Sequence, residues 1–335
     1  FPQPIATAIG FSPPLRPVAS VRRHHPEYWC NMQAGPINQS KPVTRKAMSK
    51  ITIIGPGAIG GLVTAWLCQD PANEVTVAAR TPLTGLTLET PDGTLETNPP
   101  VLTNPGGAAL ADWVLVATKA YDSRAAAEWF PALLNDQTRV AVLQNGVDHV
   151  DRFSAWLPRE HILPVIVDCP TERLAPGKVH QRGPASLTVP DGPLANAFAA
   201  LFSRTEIDCR LVDDFITIAW WKLCINAAGV VNAISLKPAR IAHDEAAAHL
   251  MRHIIEETAA VGRAEGARLG PDIAAEVIDI CRKHPPDSVN SLHADRAAGR
   301  PMEIDLRNGV IVERGKRHGI PTPYNDMAVA LLKIA

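Results

Sequence analysis

The segment Ile51-Thr52-Ile53-Ile54-Gly55-Pro56-Gly57-Ala58-Ile59-Gly60 restricts the fold more than any other stretch of the chain. Its four apolar or β-branched residues predict a buried strand, and Leu62 to Leu67 predict a helix, with three glycines at G-x-G-x-x-G spacing between them. Strand, glycine turn and helix in this order form a dinucleotide-binding unit. Gly55 permits the tight turn, Gly57 lets backbone approach a pyrophosphate, and Gly60 lets helix and strand pack closely. Together with Ala58 and Ile59 they place the phosphates on the positive end of the helix. The spacing alone is weak evidence, but a second strand, Glu74 to Ala79, falls where a βαβ unit requires it.

The end of that second strand reports on the dinucleotide. An acidic residue about 20 positions after the glycines suits the ribose hydroxyls of NAD, whereas an arginine suits a 2′-phosphate. Counting on from Gly60 reaches Arg80, with no acid at the strand end. Its guanidinium can meet a phosphate with two parallel charge-assisted bonds, so the expected cofactor is NADP(H).

With 335 residues the chain is long enough for two domains, and its formal net charge of −1 gives no pull towards nucleic acid or an anionic membrane. No apolar run reaches the roughly 18 to 20 residues of a spanning helix. The six cysteines are scattered without a C-x-x-C pair, which suggests neither a zinc knuckle nor a disulfide framework and makes the reducing cytoplasm the simplest location. Residues 1–47 carry eight prolines, six Lys or Arg and one acid, Glu27, and read as a disordered leader or extension before Met48.

From 48 to 213 the pattern alternates strand and helix, as in a Rossmann domain. Short apolar runs at 111–117 and 139–143 predict parallel strands covered on both faces. Ser123 to Phe130 predicts a helix stopped by Pro131, Thr87 to Thr97 a hairpin, and His161 to Val167 one more strand. Strands are also expected at Ser186–Val189 and Ile207–Leu211, with an Ala-rich helix between them. Because ligands of open sheets bind beyond the carboxyl ends of the strands, Thr118-Lys119 and Gln144-Asn145-Gly146 are expected at the same rim as the glycine loop.

From 214 to 335 only helices are predicted, so the fold class is α/β: an N-terminal Rossmann dinucleotide-binding domain followed by an all-helical C-terminal domain. Asp214 can cap a helix through Trp220, Trp221, Lys222 and Asn226, with Gly229 as an interruption. Lys222 and Asn226 stand four apart and share a face. Further helices are expected at 243–265, 271–283, 304–318 and 324–334. His249 and His253 have metal-ligand spacing, but no third ligand is evident, and no metal is expected.

These stretches, with Trp221-Lys222-Leu223, Ser291-Leu292-His293-Ala294-Asp295 and Gly299 to Asp305, combine into a pattern that resembles the ketopantoate reductase family across 48–335. The resemblance implies a cleft between the two domains in which NADPH reduces ketopantoate to (R)-pantoate for pantothenate synthesis. It implies Lys222 as general acid, Asn145 and Lys119 beside nicotinamide and substrate, Asn226 and Ser291 as substrate ligands, Glu303 as acceptor for the substrate hydroxyl, and Asp295 in a structural role.

The chemistry suits those residue types. Hydride arriving at a ketone leaves negative charge on oxygen, which an ammonium can stabilise and protonate. Burial in an apolar helix face would lower the lysine pKa towards the working pH. One departure stands out: the family pattern has a second asparagine four residues after the first, where this chain has Val230, and Asn232 is the nearest substitute. Another 2-oxo acid is therefore the alternative substrate. A non-catalytic NADP(H)-sensing protein is the alternative of a different class, although it would need only the glycines and Arg80. A small-molecule 2-oxo acid is the expected partner, without nucleic acid or membrane, and a homodimer is compatible with the reading.

Overall fold

A computed structural model describes residues 48–335, so the reading of 1–47 lies outside the described residues. Strand β1 (Ser49–Ile54) runs into the glycine turn and helix α1 (Ala58–Leu67), and β2 (Asn73–Ala78) returns parallel to β1. The chain continues through β3 (Leu86–Thr90), β4 (Gly93–Thr97), β5 (Val101–Leu102), β6 (Trp113–Val116), short helices α2 (Ser123–Ala127) and α3 (Phe130–Leu133), and β7 (Arg139–Val142). Next come α4 (His149–Phe153), β8 (Ile162–Pro164), β9 (Ile166–Asp168), β10 (Thr171–Ala175), β11 (Lys178–Gln181), β12 (Ala185–Pro190), α5 (Pro193–Leu201) and β13 (Ile207–Val212).

The main sheet has the order β5-β2-β1-β6-β7-β8 and is parallel throughout. This is the doubly wound Rossmann order, and its direction reverses between β1 and β6, which opens a crevice at their carboxyl ends. Strand periodicity explains the burial on both faces. Ile53, Trp113, Leu115 and Ala141 point into one core with Leu62, Trp66 and Phe198, while Ile54, Val114, Val116, Val140 and Val142 point into the other with Phe130, Leu133 and Phe153.

Three details depart from the sequence expectation. Pro131 lies in the first turn of α3, where its missing N–H is harmless, so it opens a helix rather than closing one. The single strand expected at 161–167 is two strands: β8 completes the main sheet, and after Val165 the chain enters a three-stranded sheet of order β13-β12-β9 as its edge strand β9. The predicted hairpin forms as β3–β4, but it joins the unpredicted hairpin β10–β11 in a four-stranded sheet covering α1. Val179 of β11 lies so near Gly61 that a Cβ there would sit 2.6 Å from it.

Thereafter the described chain is helical: α6 (Phe215–Ala228), α7 (Val230–Ser235), α8 (Glu245–Ala264), α9 (Ile273–Lys283), α10 (Ser291–Ala297), α11 (Asn308–His318) and α12 (Pro323–Ile334). Asp214 caps α6 by accepting from the Thr217 N–H at 3.2 Å, and Gly229 separates α6 from α7. Phe215–Ser235 is long and apolar enough to cross a membrane by length and composition, contrary to the sequence expectation, and most of its apolar window is buried inside the protein. A buried polar chain binds the helices together. Asn308 donates to Asn325 at 2.9 Å, and Asn325 donates to Glu257 at 2.7 Å and to the Ile254 carbonyl. Residues 48–335 fall within one compact unit, so the helices and the sheet rim are placed against each other.

Candidate active site

The glycine turn is built as its chemistry requires. Gly55 has φ +91°, a conformation open to glycine at little cost. A Cβ on Gly60 would stand 2.1 Å from the Gly55 carbonyl, so any side chain there collides with backbone. A Cβ on Gly57 would meet nothing within 4 Å. Gly55 and Gly60 are thus fixed by internal packing, whereas Gly57, at the N-terminus of α1, leaves an open cradle that a phosphate fits. Ala58 and Ile59 begin the helix and present its first N–H groups there. Arg80, after the end of β2, has its side chain 86% exposed and forms a 3.6 Å ion pair with Asp122.

The loop after β7 carries a tightly bonded set. Gln144 donates to Thr118 Oγ1 at 3.0 Å and accepts from Arg152 at 2.6 Å and from Ser123 at 3.2 Å. His149 is buried, and burial together with the Arg152 guanidinium lowers its pKa to about 4. Its ring is therefore neutral at pH 7, and because the Gln144 carbonyl 2.7 Å away can only accept, Nε2 carries the proton. These bonds fix the rim on which Asn145 stands.

Glu303 ties the helical half to that rim. Its Oε1 accepts from the Ala120 N–H at 3.0 Å, and its Oε2 accepts from Lys119 Nζ at 3.0 Å and from Asn145 Nδ2 at 3.4 Å. Lys119 also donates to Asp295 at 3.0 Å, and Asp295 accepts from Arg300 at 2.9 Å. Burial works against the Lys119 ammonium, but Glu303 and Asp295 together overcome it and hold its pKa above the ordinary lysine range. The sequence reading put Glu303 on substrate and Asp295 in a structural role; in this structure both bind Lys119.

Lys222 does not face bulk solvent. It lines a narrow cavity with Asn145, Gly146, His149, Val167 and Asn226, and its Nζ donates to the Val167 carbonyl. The cavity holds about 10 Å³ of free space, the room of a single water. Burial lowers the Lys222 pKa below the ordinary lysine value and the Arg307 guanidinium adds repulsion, against the pull of Asp168. No hydrogen bond joins Lys222 to Glu303 among the described residues; Asn145 stands between them, lining the cavity of one and donating to the other.

Ser291 and Asn226 come together through a residue the sequence reading missed. Arg307 is 4% exposed and donates to Ser291 Oγ at 2.8 Å and to the Asn226 carbonyl at 3.4 Å. Nothing in its local sequence marks it, because an arginine before a helix is ordinarily solvated. Asn232 needs a correction: its amide donates to the Lys237 carbonyl at 3.2 Å, and it does not line the Lys222 cavity. The turn after α7 claims its side chain. Val230, in the position of the family's second asparagine, is fully buried. His249 and His253 form a pair at 3.2 Å, with His253 stacked on Tyr324.

The model of the family described as ketopantoate reductase PanE/ApbA matches residues 51–193, and the model of its C-terminal part matches 214–335. The chain belongs to the ketopantoate reductase family. The 2-dehydropantoate 2-reductase of Caulobacter vibrioides is 54% identical over 288 residues, covering 86% of this chain and 99% of that protein. Its counterpart in Mycobacterium tuberculosis is 41% identical, covering 85% of this chain and 97% of that protein. The crystal structure of a PanE/ApbA family ketopantoate reductase from Ralstonia eutropha superposes with a TM-score of 0.78 at 32% identity, covering 85% of this chain and 97% of that one. As an oxidoreductase of this family the chain takes NADP(H), which the open cradle at Gly57 and the exposed guanidinium of Arg80 fit.

Proposed function

We propose that the chain reduces ketopantoate to (R)-pantoate with NADPH, Lys222 supplying the proton, in the pantothenate pathway of the cytoplasm. Residues 48–213 serve as the cofactor domain and 214–335 as the substrate and catalytic domain. The observation that carries this reading is the position of Lys222: a lysine of lowered pKa on α6, in the cavity against the Asn145-Gly146 rim. A bound nicotinamide supplies hydride to the keto carbon. The protein's part is to meet the charge that develops on the keto oxygen, which Lys222 Nζ does first as a cation and then as a proton donor.

Asn145, Asn226 and Ser291 offer neutral donors and acceptors that hold substrate without competing for that proton. Glu303 fixes Lys119 and Asn145, and its remaining lone pair accepts the substrate hydroxyl. Lys119, pinned by two carboxylates, keeps the rim against the helices. The single-water cavity implies that the halves part to admit substrate and close over it, which excludes water from the reacting atoms.

A second reading, reduction of another 2-oxo acid, is favoured by Val230 and by the engagement of Asn232 with Lys237, since both remove an amide from the family pattern. Initial rates of NADPH oxidation with ketopantoate, branched and aromatic 2-oxo acids separate the two. Ketopantoate should give the highest kcat/KM; a tenfold preference for another acid would replace the assignment, and absence of turnover with all of them would favour a sensor.

A further inference from the structure

Among the described residues two cations at the crevice form no ion pair: Lys222, which donates to the Val167 carbonyl, and Arg307. Lys119 is held by Glu303 and Asp295, and Asp295 also by Arg300. Arg307 donates only to neutral acceptors, Ser291 Oγ and the Asn226 carbonyl. Its Nε is buried without a hydrogen-bond partner, and among the described residues no carboxylate forms an ion pair with it. Glu303 and Asp295 act on its charge from a distance but are engaged with Lys119. An enclosed guanidinium without a counter-ion is unfavourable, and a bound anion would offset that cost.

The position of Arg307 suits that role. It touches the carbonyl of Asn226, which lines the Lys222 cavity, and the carbonyl of its neighbour Leu306 lies 3.4 Å from where a Cβ on Gly146 would stand. Lys222 and Asn226 are one helical turn apart, about 6 Å along the axis. In a 2-oxo acid the carboxylate is bonded directly to the keto carbon, so a substrate with its keto oxygen on Lys222 would bring its carboxylate towards the Asn226 turn. The substrate carboxylate also carries a negative charge, which no ion pair among the described residues gives Arg307.

We propose that Arg307 is the carboxylate anchor of the substrate: its guanidinium, held between Ser291 and Asn226 without a protein counter-ion, receives the carboxylate of the 2-oxo acid and thereby turns the keto group towards Lys222. The proposal rests on the 2-oxo acid reductase reading above. Arg307 takes no part in proton transfer.

The test compares ketopantoate with its primary amide in the full-length protein, the Arg307→Lys variant and the Arg307→Met variant, using NADPH oxidation and calorimetric titration of ketopantoate into the NADP⁺ complex. For ketopantoate, Arg307→Met should raise KM and the dissociation constant about 100-fold, as loss of a buried charge-assisted bond does, with kcat changed much less. For the amide it should change little, so the preference for acid over amide collapses. Arg307→Lys should recover part of the acid preference. If Arg307→Met does not fold, the lysine variant decides alone, and an undiminished acid preference there overturns the proposal. Equal losses on acid and amide also overturn it, because they mark a tie between helices. A wild-type protein that reduces no 2-oxo acid overturns the underlying reading and the anchor with it, whereas wild-type turnover with unchanged preference in both variants overturns the anchor alone.

Discussion

Replacing Lys222 by Met separates catalysis from stability in one variant. The methionine keeps most of the stem that lines the cavity with Ala219 and Leu223 and deletes the ammonium. A positioned general acid contributes about 10²- to 10⁴-fold in rate, or about 3 to 5 kcal/mol of barrier, so kcat should fall by that factor while the Kd for NADPH stays within about threefold. Stability should move the other way or not at all. The Lys222 pKa is lowered in the fold, so between its folded and unfolded values the unfolded chain binds more protons, and stability rises with pH across that window. Near pH 7 the buried charge therefore works against the fold, and removing it offsets loss of the bond to the Val167 carbonyl. The assay is single-turnover NADPH oxidation with ketopantoate, beside a thermal melt. In the wild type kcat should decline as pH rises through the lowered pKa, and this limb should vanish in the variant. A variant retaining more than a third of wild-type kcat, or one that loses activity and melts many degrees lower, would refute the reasoning.

The remaining expectations concern cofactor choice and acid stability. Arg80→Ala should raise KM for NADPH by about 10- to 100-fold, the worth of a charge-assisted bond, and leave KM for NADH unchanged; steady-state kinetics with both cofactors read this directly. His149 titrates at about 4 in the fold against 6.5 in an unfolded chain. Its contribution is therefore complete above pH 6.5 and lost as pH falls towards 4, on the order of 3 kcal/mol. Denaturant unfolding at pH 7 and pH 4.5 should show a smaller acid loss in His149→Gln than in the wild type.

How much of this was legible beforehand follows from the range of the interactions involved. Gly55, Gly60, the place of Arg80 after the second strand, and strands β1, β2, β6 and β7 were readable because short-range geometry fixes them: a turn that tolerates no Cβ, a residue counted from the glycines, an apolar run of strand length. Helix α6 was readable from Asp214 and its apolar run, and Gly229 as its interruption. Alternation along β6 and β7 also decided which side chains enter each core.

What local pattern could not reach was the set of contacts made across long sequence separations. Glu303 meets Lys119 across 184 positions, and Ser291 meets Arg307 across a helix and two turns. The pairing of β10–β11 with β3–β4, the passage of the chain from β8 into β9 beyond Val165, and the loss of Asn232 to the Lys237 carbonyl depend on which surfaces the packed cores bring together. The sequence by itself determined a nucleotide-binding sheet, a helical half and a lysine among apolar neighbours. Only the tertiary structure decided that Lys119 is neutralised by two carboxylates while Arg307 keeps its charge, because the free energy of a buried charge depends on the groups that folding brings within a few ångströms of it.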